Sequence, residues 1–143
     1  VLCPHGHFRG QDDNPEGRFQ HDYQFLCAHL ARMGAIVITW DMVGWGESTW
    51  LPHRVPTTTT LQTWNSVRII DWLTSRDDVD SSRIAMTGSS GGGTQTFLAA
   101  ALDERITVSI PVVMVFKGGE VTQRFLGVQA KARLQEALDA AKG

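Results

Sequence analysis

The chain has 143 residues, 42% of them hydrophobic and 20% charged, with a formal net charge of −2. That length suits a single domain, which buries about 70% of the surface its unfolded chain exposes, enough for a core. Acids and bases are interspersed without a basic run, which argues against nucleic-acid and membrane-surface partners, and no apolar run approaches the ~20 residues of a membrane helix.

Two cysteines, Cys3 and Cys27, are too few for a disulfide framework. They read as small hydrophobes on a strand and a helix; a single bridge stays open, and the compartment is undetermined. No signal-peptide pattern is seen. The chain starts inside a strand-like segment, as a fragment or processed form would.

Short apolar runs alternate with helical stretches, the pattern of a parallel sheet with crossover helices. Val1–Cys3 reads as the first strand, closed by Pro4-His5-Gly6-His7. After a polar loop, Arg9 to Gly17, a helix is predicted from about Arg18 to Met33, with Tyr23, Leu26, Cys27, Leu30 and Met33 on one face. Gly34 marks its left-handed stop. The run Ala35–Trp40 reads as a strand covered on both faces, and a glycine-punctuated loop, Asp41 to Ser48, follows it. The next helix, about Leu61 to Ser75, carries Leu61, Trp64, Val67 and Ile70 on one stripe, so Trp64 and Trp72 are expected in packing. A third strand, Arg83–Thr87, runs into Gly88-Ser89-Ser90-Gly91-Gly92-Gly93 and a helix, Thr94–Leu102. A fourth strand, Val108–Phe116, is interrupted by Pro111, and a last helix is expected from about Glu120 to Lys142. Four strands and four helices make a small three-layer α/β/α sandwich with a mostly parallel sheet.

Gly88-Ser89-Ser90-Gly91-Gly92 fits Gly-x-Ser-x-Gly between a strand and a helix. A turn sharp enough to hold Ser90 in a strained conformation needs small flanking residues, which Gly88 and Gly92 supply. It sets the hydroxyl at a helix N-terminus, where free N–H groups favour developing negative charge. The plain alternative is a helix cap by Ser89 or Ser90. Nucleotide binding is disfavoured, because the glycines match neither Gly-x-Gly-x-x-Gly nor the lysine-bearing phosphate loop. An oxyanion needs two backbone donors; Gly91 and the His7/Phe8 loop are the candidates. Reading His5-x-His7 as metal ligands lacks the acidic partner, since Phe8, Arg9 and Gly10 follow. No metal or cofactor is called for.

Pro4-His5-Gly6-His7-Phe8, Trp40 to Ser48 and Met86 to Thr96, in that order, resemble the α/β-hydrolase superfamily, in particular acetyl-xylan-esterase-like and dienelactone-hydrolase-like members. The resemblance covers roughly residues 1 to 115. It implies a reduced α/β-hydrolase fold and a serine hydrolase of carboxylic esters, with Ser90 as nucleophile, Gly91 and the His7/Phe8 loop as oxyanion donors, and Asp41 holding its loop. Residues 1–143 are expected to form one truncated domain with 119–142 a divergent helix. In this fold the acid and the histidine follow the nucleophile, yet the last histidine here is His53. His7 or His5 is therefore the expected base. His21 and His29 are expected on a helix surface, and His53 in a solvent-facing loop. Trp45 and Phe8 have the better claim to line a site. An open, aromatic-edged cleft would suit small, bulky or polymeric esters. Bared sheet edges invite pairing, so a homo-oligomer is expected; a catalytically impaired remnant that binds ligands or self-associates is the alternative.

Overall fold

The computed structural model describes residues 1–7, 16–117, 120–125, 136 and 140. Strand β1 (Ile84–Ser89) pairs in parallel with β2 (Ile106–Lys117), and β2 pairs antiparallel with β3 (Glu120–Phe125). On the other side of β1 the sheet continues through bridges: Leu2 lies parallel to both Met86 and Ile38. Ladder bonds run from Leu2 N–H to the Ala85 carbonyl at 2.8 Å and from Cys3 N–H to the Ile38 carbonyl at 2.8 Å. The order across the sheet is thus Ile38, Leu2, β1, β2, β3. The chain moves outward from Leu2 to Ile38, then returns past Leu2 to β1. That reversal is a topological switch point, where open parallel sheets leave a crevice at the carboxyl ends of their strands. Residues 4–7 and 89–91 flank it.

Three helices cover the sheet: α1 (His21–Arg32), α2 (Thr58–Thr74) and α3 (Gly91–Leu102). Ile70 and Leu73 of α2 and Ala99 and Ala100 of α3 meet Leu2, Ile84, Met86 and Ile106 in one core. Side chains alternate along a strand, so Thr87 and Ser89 face the opposite layer, where the Tyr23 hydroxyl of α1 accepts from Ser89 N–H at 2.9 Å and lies 3.3 Å from Ser89 Oγ. The expected three-layer α/β arrangement is present.

Several expectations are corrected. Trp64 and Trp72 are 59% and 51% exposed. The buried line of α2 is Thr58, Gln62, Thr63, Ser66, Ile70 and Leu73; the tryptophans instead carry the Arg68 and Arg76 guanidiniums on their faces. Met33 is exposed, one residue past the end of α1, whereas Gly34 takes the predicted positive φ of 95°. The strand at Ala35–Trp40 reduces to one bridge, with Ile36 43% exposed, so it is not covered on both faces. Pro111 does not interrupt β2: it pairs with Gly88 in register, ahead of the β3 pairing that begins at Val113, so its missing N–H costs no bond to β3. Finally, Glu120–Phe125 is a strand, not the start of a helix. Two glycines separate Lys117 from Glu120 in sequence, a hairpin signal that the expectation of a helix overrode. Glu136 and Ala140 are helical; the rest of the expected last helix lies outside the described residues.

Candidate active site

Ser90 sits between β1 and α3 with φ 53° and ψ −123°, the single non-glycine residue of positive φ among the described residues. A side chain there is strained. Its neighbours explain why the turn tolerates nothing larger. A Cβ on Gly92 would overlap the Pro4 carbonyl oxygen and approach the His5 carbonyl oxygen to 2.8 Å; one on Gly88 would come within 2.7 Å of both Pro4 O and the Gly92 backbone. The end of the first strand therefore presses directly on the turn. Ser90 N–H donates to the Val112 carbonyl at 3.2 Å, and the Ser90 carbonyl accepts from Thr94 N–H at 3.0 Å. The hydroxyl caps nothing and the residue is exposed. Gly91 N–H opens α3 and has no intrahelical acceptor.

His7 lies beside this turn. A Cβ on Gly91 would collide with His7 Cε1 and come within 2.6 Å of His7 Nδ1, so that edge of the imidazole faces Gly91. The other edge faces His53: the two Nε2 atoms are 2.7 Å apart. His53 is half-buried rather than solvent-facing, with Nδ1 2.6 Å from the Val43 carbonyl. Trp45, 7% exposed, backs the group, its ring 5.5 Å from His7 and 6.0 Å from His53, both edge-on. Desolvation, then the neighbouring His53 and His5 imidazoles, hold His7 below the ordinary histidine range.

His5 is fully buried and differently engaged. Its Nδ1 donates to the Gly6 carbonyl at 2.8 Å, and its Nε2 accepts from Met42 N–H at 3.1 Å. Both nitrogens are occupied, so neither is left to take a proton from Ser90; the ring ties the loop after the first strand to the loop after the second. Asp41 holds that second loop, accepting from Arg18 N–H at 2.6 Å, from the Arg18 guanidinium and from Glu47 N–H at 3.0 Å. Phe8 lies outside the described residues. His21 and His29 are on the exposed face of α1, as expected. His53, expected in a solvent-facing loop, is instead brought to His7 by a loop packed against Gly44, where a Cβ would strike the His53 backbone.

A cavity of about 610 Å³ lies elsewhere, lined by Ile38, Trp40, Asn65, Arg68, Ile69 and Trp72 among others, and includes neither Ser90 nor His7. A second, of about 210 Å³, lies under the turn between Tyr23, Leu26, Thr87, Ser89 and Val112. Among the described residues no three His, Cys, Asp or Glu side chains gather as a metal site, and no helix is long and apolar enough to cross a membrane.

The model of the fungal glucuronyl esterase family matches residues 53–141, more than half of the chain. The chain belongs to that family. Among solved structures, it resembles Methylesterase BT1017 with a TM-score of 0.73 and 39% identity, over 95% of this chain and 32% of that one. It also resembles the acetyl xylan esterase from Paenibacillus sp. R4, with a TM-score of 0.55 and 25% identity over 78% of this chain and 38% of that one. An uncharacterized 31.7 kDa protein of the traX-finO intergenic region of Escherichia coli is 30% identical over 123 residues, 75% of this chain and 42% of that protein. This glucuronyl esterase family member thus spans about a third to two fifths of the length of these relatives. Its fold is of the α/β-hydrolase type.

Proposed function

We propose that this chain carries the nucleophilic turn of a serine carboxylic ester hydrolase. The observation that carries the reading is the positive φ of Ser90 between a parallel strand and a helix N-terminus, at the switch point of the sheet. A serine hydroxyl needs a base to become nucleophilic at neutral pH. In this reading His7 Nδ1 takes the proton as Ser90 Oγ attacks the ester carbonyl carbon. Gly91 N–H donates to the oxyanion. The intermediate collapses to an acyl-enzyme, and the alcohol leaves with the proton held on His7. Water then releases the acid by the same steps in reverse order. His5 and Asp41 hold the two loops, and Trp45 walls the imidazoles.

The names of the relatives support a carboxylic ester on a carbohydrate as the substrate class: glucuronyl, methyl and acetyl esters recur among them. Ser90 is exposed, which supports bulky or polymeric esters beside small ones. Turnover of p-nitrophenyl acetate and of acetylated or methyl-esterified polysaccharide by the wild type, with none by Ser90→Ala at unchanged fold, is the expected result. Equal turnover by the variant would sink the reading.

One observation favours a second reading, self-association of a catalytically impaired chain. Val108 and Val112 of β2 are 37% and 43% exposed on a sheet face that parallel sheets normally cover. A stable dimer without ester turnover would favour it over hydrolysis.

A further inference from the structure

We propose that Tyr23 is a positioning residue whose hydroxyl holds the peptide in front of Ser90, an inference that rests on the reading of Ser90 as the nucleophile. Leu2 makes two ladder bonds with β1: its N–H donates to the Ala85 carbonyl at 2.8 Å, and its carbonyl accepts from Thr87 N–H at 2.9 Å. In a parallel pair the next bonds on that side fall two residues on, at residue 4 and Ser89. Residue 4 is proline, which has no N–H to give, and its carbonyl oxygen packs against Gly88 and Gly92. The ladder ends there, and Ser89 N–H donates to the Tyr23 hydroxyl at 2.9 Å. The phenol oxygen thus takes the place of a strand carbonyl at the last residue before Ser90, and it lies 3.3 Å from Ser89 Oγ as well.

Tyr23 alone of α1 is buried, at 5% exposure. Its ring could anchor the helix without a hydroxyl, so the bond to Ser89 is an addition to packing. Burial raises the phenol above the ordinary tyrosine range, which keeps it neutral. The buried His5 ring stands edge-on to it at 6.4 Å. A positive φ at a non-glycine residue persists only where its surroundings over-determine it. β2 holds Ser90 N–H through the Val112 carbonyl, α3 holds the Ser90 carbonyl through Thr94 N–H, and the first strand presses on Gly88 and Gly92. Tyr23 adds the hold from α1. Without it Ser89 N–H loses its acceptor, the peptide before Ser90 is free to turn, and the nucleophilic hydroxyl moves with it.

The test uses the full chain, whose one tyrosine is Tyr23, so that growth on 3-fluorotyrosine alters this position alone. Capture of a fluorophosphonate probe by Ser90 is followed against probe concentration, beside amide hydrogen exchange of Ser89 and Met86. Tyr23→Phe keeps the ring and is expected to slow maximal capture about 100-fold, the scale of a misplaced reacting group, with the half-saturating concentration unchanged. Its Ser89 amide exchanges like an open one while Met86, inside β1, stays protected. The 3-fluorotyrosine chain, which keeps the hydroxyl, captures at close to the wild-type rate. Wild-type capture by Tyr23→Phe overturns the positioning role and leaves Ser90 as the nucleophile. Slow capture with Met86 unprotected overturns it too, since Tyr23 then only supports the fold. A 3-fluorotyrosine chain as slow as Tyr23→Phe overturns the role of the hydroxyl. A folded wild type that takes no probe on Ser90 removes the nucleophile instead. Exchange in the wild type then decides the bond, whether or not the variant folds: a Ser89 amide that exchanges as fast as an open one overturns it.

Discussion

Replacing Ser90 by glycine and by alanine separates strain from chemistry at one position. Both changes remove the hydroxyl and, in the proposed reading, all ester turnover. They differ in the backbone. Alanine keeps a Cβ at φ 53°, ψ −123°, a conformation that costs a non-glycine residue about 1–3 kcal/mol. Glycine relieves that cost but loses about 0.5–1 kcal/mol more chain entropy on folding. The hydroxyl makes no cap bond and the residue is exposed, so neither change removes packing. The difference left is about 0–2.5 kcal/mol in favour of Ser90→Gly over Ser90→Ala. Urea unfolding of the two variants measures it, with equal slopes expected because the same surface is exposed; at this size each kcal/mol moves Tm by roughly 2–4 °C. A Ser90→Gly protein less stable than Ser90→Ala would refute a strained turn at this residue.

Further expectations follow from the same contacts. Gly92→Ala adds a better helix former to α3, a gain of about 1 kcal/mol elsewhere, yet its Cβ overlaps the Pro4 carbonyl; a net loss of about 1–2 kcal/mol in urea unfolding is expected, and any gain contradicts the close approach. Burial holds His5 below the ordinary histidine range, so the unfolded chain takes that proton first. Stability from this group is complete above about pH 6.5 and falls as the pH drops from there toward the folded value. His5→Gln should flatten that slope between pH 7.5 and 5, and an unchanged slope would assign it to other groups. Burial, with Cys27 beside it, pushes the Cys3 thiol up to about 12. Its thiolate fraction at pH 8 is then about 10⁻⁴, against roughly a quarter for a free cysteine. Iodoacetamide should label Cys3 only after unfolding, and rapid native labelling would contradict its burial.

The strand-turn-helix around Ser90 was legible because its constraints are local: an apolar strand, small residues at 88 and 92, and a helix that opens on glycines. The Gly34 stop was legible for the same reason. What failed depended on partners distant in sequence. The stripe chosen for α2 assumed that the largest apolar residues face inward, whereas Thr63 and Ser66 are buried beside Ile70 and Leu73 while Trp64 and Trp72 face outward under arginine guanidiniums. Glu120–Phe125 becomes a strand because β2 offers it a partner across a two-glycine separation. The histidines were the hardest. His5 and His7 are two residues apart, yet one is consumed by the Gly6 carbonyl and Met42 N–H while the other faces the turn. His53 is 46 residues from His7, and only the fold brings their rings together.

The most direct test of an activated serine at this turn is covalent capture. A fluorophosphonate probe should add once per chain, and digestion should place it on the segment Ile84–Arg105, with fragmentation assigning it to Ser90 and His7→Ala reducing the rate sharply. A folded wild-type chain that takes up no probe, or takes it up on another residue, contradicts the account.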